Sequence, residues 1–271
     1  MKNILDEKIF NPKTPAFERI CLIVKRLRDP HDGCPWDKEQ THESLTPYVI
    51  EEAFEVVEAI TQNKNDLKKE LGDLLLQVLL HSEIASETSA FNINDVCEAI
   101  STKLITRHPH VFGDIDAKTS DVVLKNWEQI KQKELKSGES ILDGVPTRMP
   151  ALLRAQRVSE KAARVGFEWS TLDDIKAKVF EEIQEFLAEV NESAPKEKIE
   201  DEFGDIYFAL TQVARRMHLD AESLLHASTD KFTRRFKEVE KRLTKPIKDM
   251  TLNELDIIWE QVKTEERQGA A

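Results

Sequence analysis

Cysteine is scarce: the 271 residues hold three, Cys21, Cys34 and Cys97, and none forms a CxxC pair. That excludes a disulfide scaffold and a zinc ribbon and fits a reducing compartment, so a cytoplasmic protein is expected. Long apolar runs are missing too. No stretch approaches the length needed to cross a bilayer, and the opening MKNILDEKIFNPKTPAFER lacks a signal-like apolar core, so a soluble, unprocessed chain is expected. Positive charge is in deficit, with a formal net charge of −12. Nucleic acid and membrane surfaces are themselves anionic, so general binding to either is not expected. There is no P-loop, GxGxxG turn, GxSxG elbow or protein-kinase signature, and strand-like alternation is rare.

What is present is helical periodicity loaded with carboxylates. In residues 179–205 the apolar positions Val179, Ile183, Phe186, Leu187 and Val190 recur at three- and four-residue steps, the mark of a helix with one buried stripe. A short polar segment with Pro195 interrupts it, and Ile199, Phe203, Ile206, Tyr207 and Leu210 restart the period. Two helices in an antiparallel hairpin are expected. On a helical wheel Glu182 and Glu185 fall at about 300° and 240° from the first apolar residue, and Glu202 and Asp205 take the same two angles on the second helix. Each helix thus carries an i, i+3 carboxylate pair on the same flank. Four carboxylates that close repel one another unless a cation sits among them, and hard oxygen ligands suit Mg2+, or alternatively Mn2+.

A lone EExxE is an ordinary feature of an acidic surface, but this one is duplicated. Glu51, Glu52 and Glu55 match Glu181, Glu182 and Glu185, and Glu70 and Asp73 match Glu202 and Asp205. The apolar positions Ile50, Ala53, Val56, Val57 and Ile60 stand where Phe180, Ile183, Phe186, Leu187 and Val190 stand in the second copy. Solvated charge has no reason to keep both pairs in both copies. The repeat extends to Trp127 in an expected helix over 122–135, echoed by Trp259. The predicted architecture is all-α, with two tandem related helical bundles: a domain over 1–136, a Gly- and Pro-bearing linker over 137–150, and a domain over 151–271.

Around these hairpins, residues 1–14 read as an arm, 17–27 as a helix, and 29–45 as a polar loop holding Trp36 and His42. Cys34 and His42 are too few for a metal site, so that loop is expected to be structural or to gate substrate. His108-Pro109-His110 reads as a turn closing a helix over 93–105. Helices are also expected over 151–165, with Ser170 or Thr171 capping the next one, and over 221–242. On that last helix Lys231 and Arg235 lie four apart, with Arg234 beside them; Lys103 and Arg107 are the first-copy counterparts. Cations recurring opposite a carboxylate cluster suit the phosphates of a metal-bound nucleotide. Trp259 offers a plate for a base, or a core residue.

EExxE followed by ExxD, in two copies, with CPWDKEQTHESL before the first and KFTRRFKEVE after the second, resembles the two-domain MazG nucleoside triphosphate pyrophosphohydrolases over nearly the whole chain. The resemblance implies an all-α homodimer of the NTP pyrophosphatase type. Its implied reaction is Mg2+-dependent hydrolysis of nucleoside triphosphates to monophosphate and pyrophosphate, with broad base tolerance, as in nucleotide-pool housekeeping. Carried over by motif, Glu182, Glu185, Glu202 and Asp205 would hold the metal, while Lys231, Arg234, Arg235 and Trp259 would contact nucleotide. Glu52, Glu55, Glu70 and Asp73 are the matching ligands of the first copy, although in such proteins the C-terminal copy is credited with the activity. Three other readings compete. A di-iron oxidase would need two Glu-x-x-His motifs, and the one present, Glu39 to His42, lies in an expected loop. A narrow dUTP or phosphoribosyl-ATP pyrophosphatase is the nearer rival, and a non-enzymatic helical adaptor leaves the duplicated carboxylates without a reason.

Overall fold

The computed structural model describes residues 4–61, 66–114, 119, 122–123 and 138–269. Every regular element among them is helical, as the periodicity requires. The chain divides into two compact units, Met1–Ile130 and Lys131–Ala271.

In the first unit, helix α1 (Ile4–Phe10) packs on α2 (Ala16–Leu27). The segment expected to be an arm is therefore a helix, tied down by the ion pairs Asp6–Arg26 and Lys8–Glu18. The polar loop that follows contains one short helix, α3 (Pro35–Glu39). Arg28 pins this loop: it is 8% exposed and grips Glu87 through Nε at 2.6 Å and Nη2 at 2.9 Å. Its Nη1 donates to the carbonyls of Asp37 and Gln40. Gly33 has to be glycine, because a Cβ there would lie 2.4 Å from the carbonyl oxygens of both Leu27 and Asp29. The carboxylate hairpin is α4 (Thr46–Thr61) against α5 (Leu67–Glu87), followed by α6 (Ile93–Arg107) and the four-residue α7 (Pro109–Phe112), where a turn was expected. Val24, Leu45, Leu79 and Leu80 form the core. Of the helix expected over 122–135, with Trp127, only residues 122–123 are described, and they are helical.

The second unit holds α8 (Ala151–Arg164), α9 (Leu172–Asn191), α10 (Lys196–Arg216), α11 (Ala221–Arg242) and α12 (Leu252–Gly269). Residues 138–150 of the expected linker lie in this unit and are attached to it. Ile141 accepts a 2.8 Å hydrogen bond from Lys161 Nζ, and Val145 is buried. Glu168, in the link between α8 and α9, is tied to α10 through two bonds to Arg215, at 2.5 and 2.8 Å. Gln156 on α8 accepts from the Ala221 amide at 3.0 Å and donates to the Leu219 carbonyl at 3.1 Å, fixing the entry to α11.

Candidate active site

The second-unit site is built by two helices whose starts are fixed locally. Thr171 Oγ1 accepts from the Asp174 amide at 3.2 Å, and Asp174 Oδ2 accepts from the Thr171 amide at 2.8 Å, a reciprocal cap that sets the phase of α9. At its other end Ser193 adopts φ 53°, and the amides of Ser193 and Ala194 bond back to the carbonyls of Val190 and Glu189. This left-handed closure turns the chain into Pro195, whose fixed φ starts α10. Phe186 and Phe203 then meet across the hairpin with ring centroids 5.2 Å apart.

With the helices so placed, one ligand oxygen from each of Glu182, Glu185 and Glu202 falls within 4.8 Å of the others. Glu182 is only 6% exposed. Asp205 stands beside this group of three. Burial, then Glu182, raises its carboxyl above the usual aspartate range. Burial also raises Glu202, with further contributions from Glu185, Asp205 and Glu182. One cation already answers this charge, and it was missed in the sequence: Lys178 Nζ lies 2.7 Å from Glu181 and 2.9 Å from Glu182. Its bonds to Glu181 and then Glu182 push its own pKa well up.

The first unit repeats the arrangement with different detail. Glu52, Glu55 and Glu70 likewise place one oxygen each within 4.8 Å of the others, and Glu70 is buried. Glu55 is raised first by a hydrogen bond to Glu70, and Glu52 by burial and then by Asp73. Here the internal cation is Lys69, from the second helix, 3.3 Å from Glu70 and 3.6 Å from Asp73. A cleft of about 260 Å³ opens beside Glu55, Glu58, Lys69 and Glu70.

Of the three cations expected to bind phosphate, two are paired within the protein. Arg234 and Arg235 both grip Glu266 on α12, through Nε at 3.0 and 2.7 Å. Nothing in the local period of α11 announces that partner, more than thirty residues downstream. Lys231 is exposed and makes no ion pair among the described residues, as is true of Lys103 in the first unit. Trp259 is half-buried and packs on Phe232 at 5.3 Å, so one of its faces is committed to the α11–α12 interface.

The donor set fits a hard divalent cation. Every ligand atom is a carboxylate oxygen, and the oxygens are held together against their own repulsion. Ligands of one Mg2+ at about 2.1 Å lie no more than about 4.2 Å apart, so a small side-chain adjustment closes the group. Nitrogen and sulfur donors of the kind that zinc or iron would take are absent from both clusters.

Comparison with known proteins agrees with this geometry. The MazG nucleotide pyrophosphohydrolase domain matches twice, over residues 40–112 and 170–240, which enclose the two carboxylate hairpins and together make up more than half of the chain. A nucleoside triphosphate pyrophosphohydrolase of Escherichia coli is 45% identical over 92% of this chain and 97% of its own length. The nucleoside triphosphate pyrophosphohydrolase/pyrophosphatase MazG of Thermotoga maritima is 42% identical over 91% of this chain and 95% of its own. With the domain matched twice and relatives above 40% identity covering nearly the full length, the chain belongs to the MazG nucleotide pyrophosphohydrolase family.

Proposed function

We propose that this protein hydrolyses ribo- and deoxyribonucleoside triphosphates to the monophosphate and pyrophosphate, with Mg2+ or Mn2+ and little selection among bases, and that the second unit does the chemistry. The observation that carries the reading is the gathering of Glu182, Glu185 and Glu202 from two helices, in a protein whose relatives bear that activity in their names. Glu182, Glu185, Glu202 and Asp205 would hold the metal, which when bound supplies polarisation of the phosphoryl oxygens and neutralises their charge.

The chain's own groups complete the reaction. Water attacks the α-phosphorus in line with the bridging oxygen to the β-phosphorus, that bond breaks, and pyrophosphate leaves with the bonding pair. Glu181 takes the water proton on Oε2, the oxygen that Lys178 does not bond. Lys231 meets the departing pyrophosphate. Arg235 joins it by exchanging Glu266 for phosphate, and Arg234, on the same carboxylate, is the third cation within reach of the change. The free face of Trp259 stacks on the base without reading its edge, which suits broad tolerance.

The working form is a homodimer. Phe180, Leu187, Phe203, Tyr207 and Leu210 are exposed large apolar side chains on the hairpin that bears the ligands, and Ile50, Phe54, Val57 and Leu71 repeat the pattern in the first unit. A second copy covering these faces would supply the burial they lack. No described helix is long and apolar enough to cross a membrane, which accords with the cytoplasmic, membrane-free setting proposed here. The test is product analysis. Pure protein incubated with a panel of NTPs and dNTPs should release pyrophosphate and not orthophosphate, lose activity in EDTA, and recover it with Mg2+ or Mn2+. Full turnover by metal-free protein would overturn the carboxylate site.

A further inference from the structure

The two units differ just beyond their carboxylates, where the hairpin seam continues away from the turn. In the first unit the α4–α5 seam runs from Glu55 beside Glu70, through Glu52 beside Asp73, to His42 and His81. The two imidazoles stack with planes 2° apart and join through their Nδ1 atoms at 2.8 Å, leaving both Nε2 atoms without a partner among the described residues. Between the carboxylates and this pair lies Gln77. It is 6% exposed, yet its Oε1 has no hydrogen-bond partner. On the helical wheel Gln77 falls within about 40° of Glu70, Asp73 and His81, so all four belong to the seam-facing side of α5. On α4, Tyr48 stands one turn before Glu52 and meets Trp36 edge-on at 5.8 Å, and both rings are exposed, at 38% and 47%.

A buried amide oxygen that no described protein group pairs is available to accept a hydrogen bond from a bound ligand. At the offset that maps Glu52 onto Glu182, Tyr48 becomes Lys178; at the offset that maps Glu70 onto Glu202, Gln77 becomes Ala209 and His81 becomes Val213. The second unit therefore has a lysine and two aliphatic residues where the first has an aromatic ring, an amide and an imidazole. Those three groups are what a nucleobase needs, a face to stack on and hydrogen-bonding groups for its edge. The spacing also suits a nucleoside. Gln77 and His81 lie about 6 and 12 Å along the axis from Asp73, comparable with the reach from an α-phosphate to the far edge of its base. At the other end of the cluster the cleft beside Lys69 would take the outer phosphates.

We propose that the first unit is a base-selective nucleoside triphosphate site, with the base stacked at Trp36 and Tyr48 and its edge read by Gln77 and the His42–His81 pair. The proposal rests on the reading of the carboxylate clusters as metal–triphosphate sites. It divides the labour of the repeat: the second unit hydrolyses broadly, and the first recognises a particular base.

The test uses the full-length chain with Glu202→Ala and Asp205→Ala in the second unit, titrated calorimetrically with α,β-methylene analogues of the four nucleotides in Mg2+. One residual site per chain is expected, with affinities spread at least about tenfold across the bases, the scale of one good base-edge contact. Gln77→Leu, close to isosteric, should collapse that spread. Trp36→Ala, at an exposed position of the short helix α3, should weaken every base by about tenfold or more and tests the platform even where Gln77→Leu perturbs folding. Absence of a residual site, or a residual site whose base ranking is unchanged by Gln77→Leu and whose affinities are unchanged by Trp36→Ala, overturns the proposal. Pyrophosphate release by the parent and its loss in the Glu202→Ala, Asp205→Ala chain score the hydrolytic reading separately, so either can fail without the other.

Discussion

Glu202 sits where burial and its acidic neighbours make a negative charge unwelcome in the metal-free protein. Its folded pKa is raised above the unfolded value, so the folded state holds the proton more readily, and stability is lost as the pH rises through that raised value. Glu202→Gln removes the charge and keeps the shape. In EDTA the variant should melt higher than the parent near neutral pH, with the advantage shrinking as the pH falls towards the ordinary glutamate value of 4.5. Added Mg2+ should reverse the order, stabilising the parent more than the variant. Thermal melts across pH, with and without metal, check both signs. Lys178 and Lys69 meet the same repulsion from inside the protein, one from the first helix of its hairpin and one from the second. Each lysine pairs with carboxylates of its own helix, at spacings up to i, i+4, so the same period that aligned the carboxylates already carried these cations.

At the scale of the element, the hairpin helices carry the site only because their phases are set at their ends. Thr171→Ala removes one half of the reciprocal cap on α9 and should cost about 1 kcal/mol, read as a lowered melting temperature. Such elements were legible in the sequence because a long apolar period survives averaging. The helices over 46–61, 67–87, 172–191, 196–216 and 221–242 all follow it. Short elements were not legible. Ile4–Phe10 looked like an arm because Asn11, Pro12 and Pro15 follow at once, and its helix is supported by ion pairs to α2 that no local pattern announces. The pairing of Arg234 and Arg235 with Glu266 was hidden for the same reason: a wheel gives the face a side chain occupies, and its partner belongs to another helix. The polar group at Tyr48, Gln77 and His81 was missed differently. The second unit has Lys178, Ala209 and Val213 at the equivalent positions, so duplication, the signal that marks the carboxylates, is missing there.

At the scale of the molecule, the exposed apolar faces of both hairpins predict that the protein is a stable dimer in solution, with about twice the chain mass of 31.2 kDa by light scattering. Phe54→Lys and Phe180→Lys, each placing a charge on one such face, should shift the population towards monomer. The duplicated hairpin poses the larger question of which copy works. Both hold three carboxylates within the same 4.8 Å, so ligand count alone does not separate them. What separates them is the position of the second basic residue: Arg235 lies within one continuous helix in the second unit, where the first has Arg107 at a helix end leading into the His108-Pro109-His110 segment. The deciding measurement is steady-state pyrophosphate release, with Mg2+, by Glu202→Ala and Glu70→Ala beside the parent. Glu202→Ala should lower kcat by about a hundredfold or more, the scale of losing a catalytic metal site or a charge-stabilising group, and Glu70→Ala should cost far less. Parental turnover in Glu202→Ala together with an inactive Glu70→Ala would place the chemistry in the first unit and contradict the assignment.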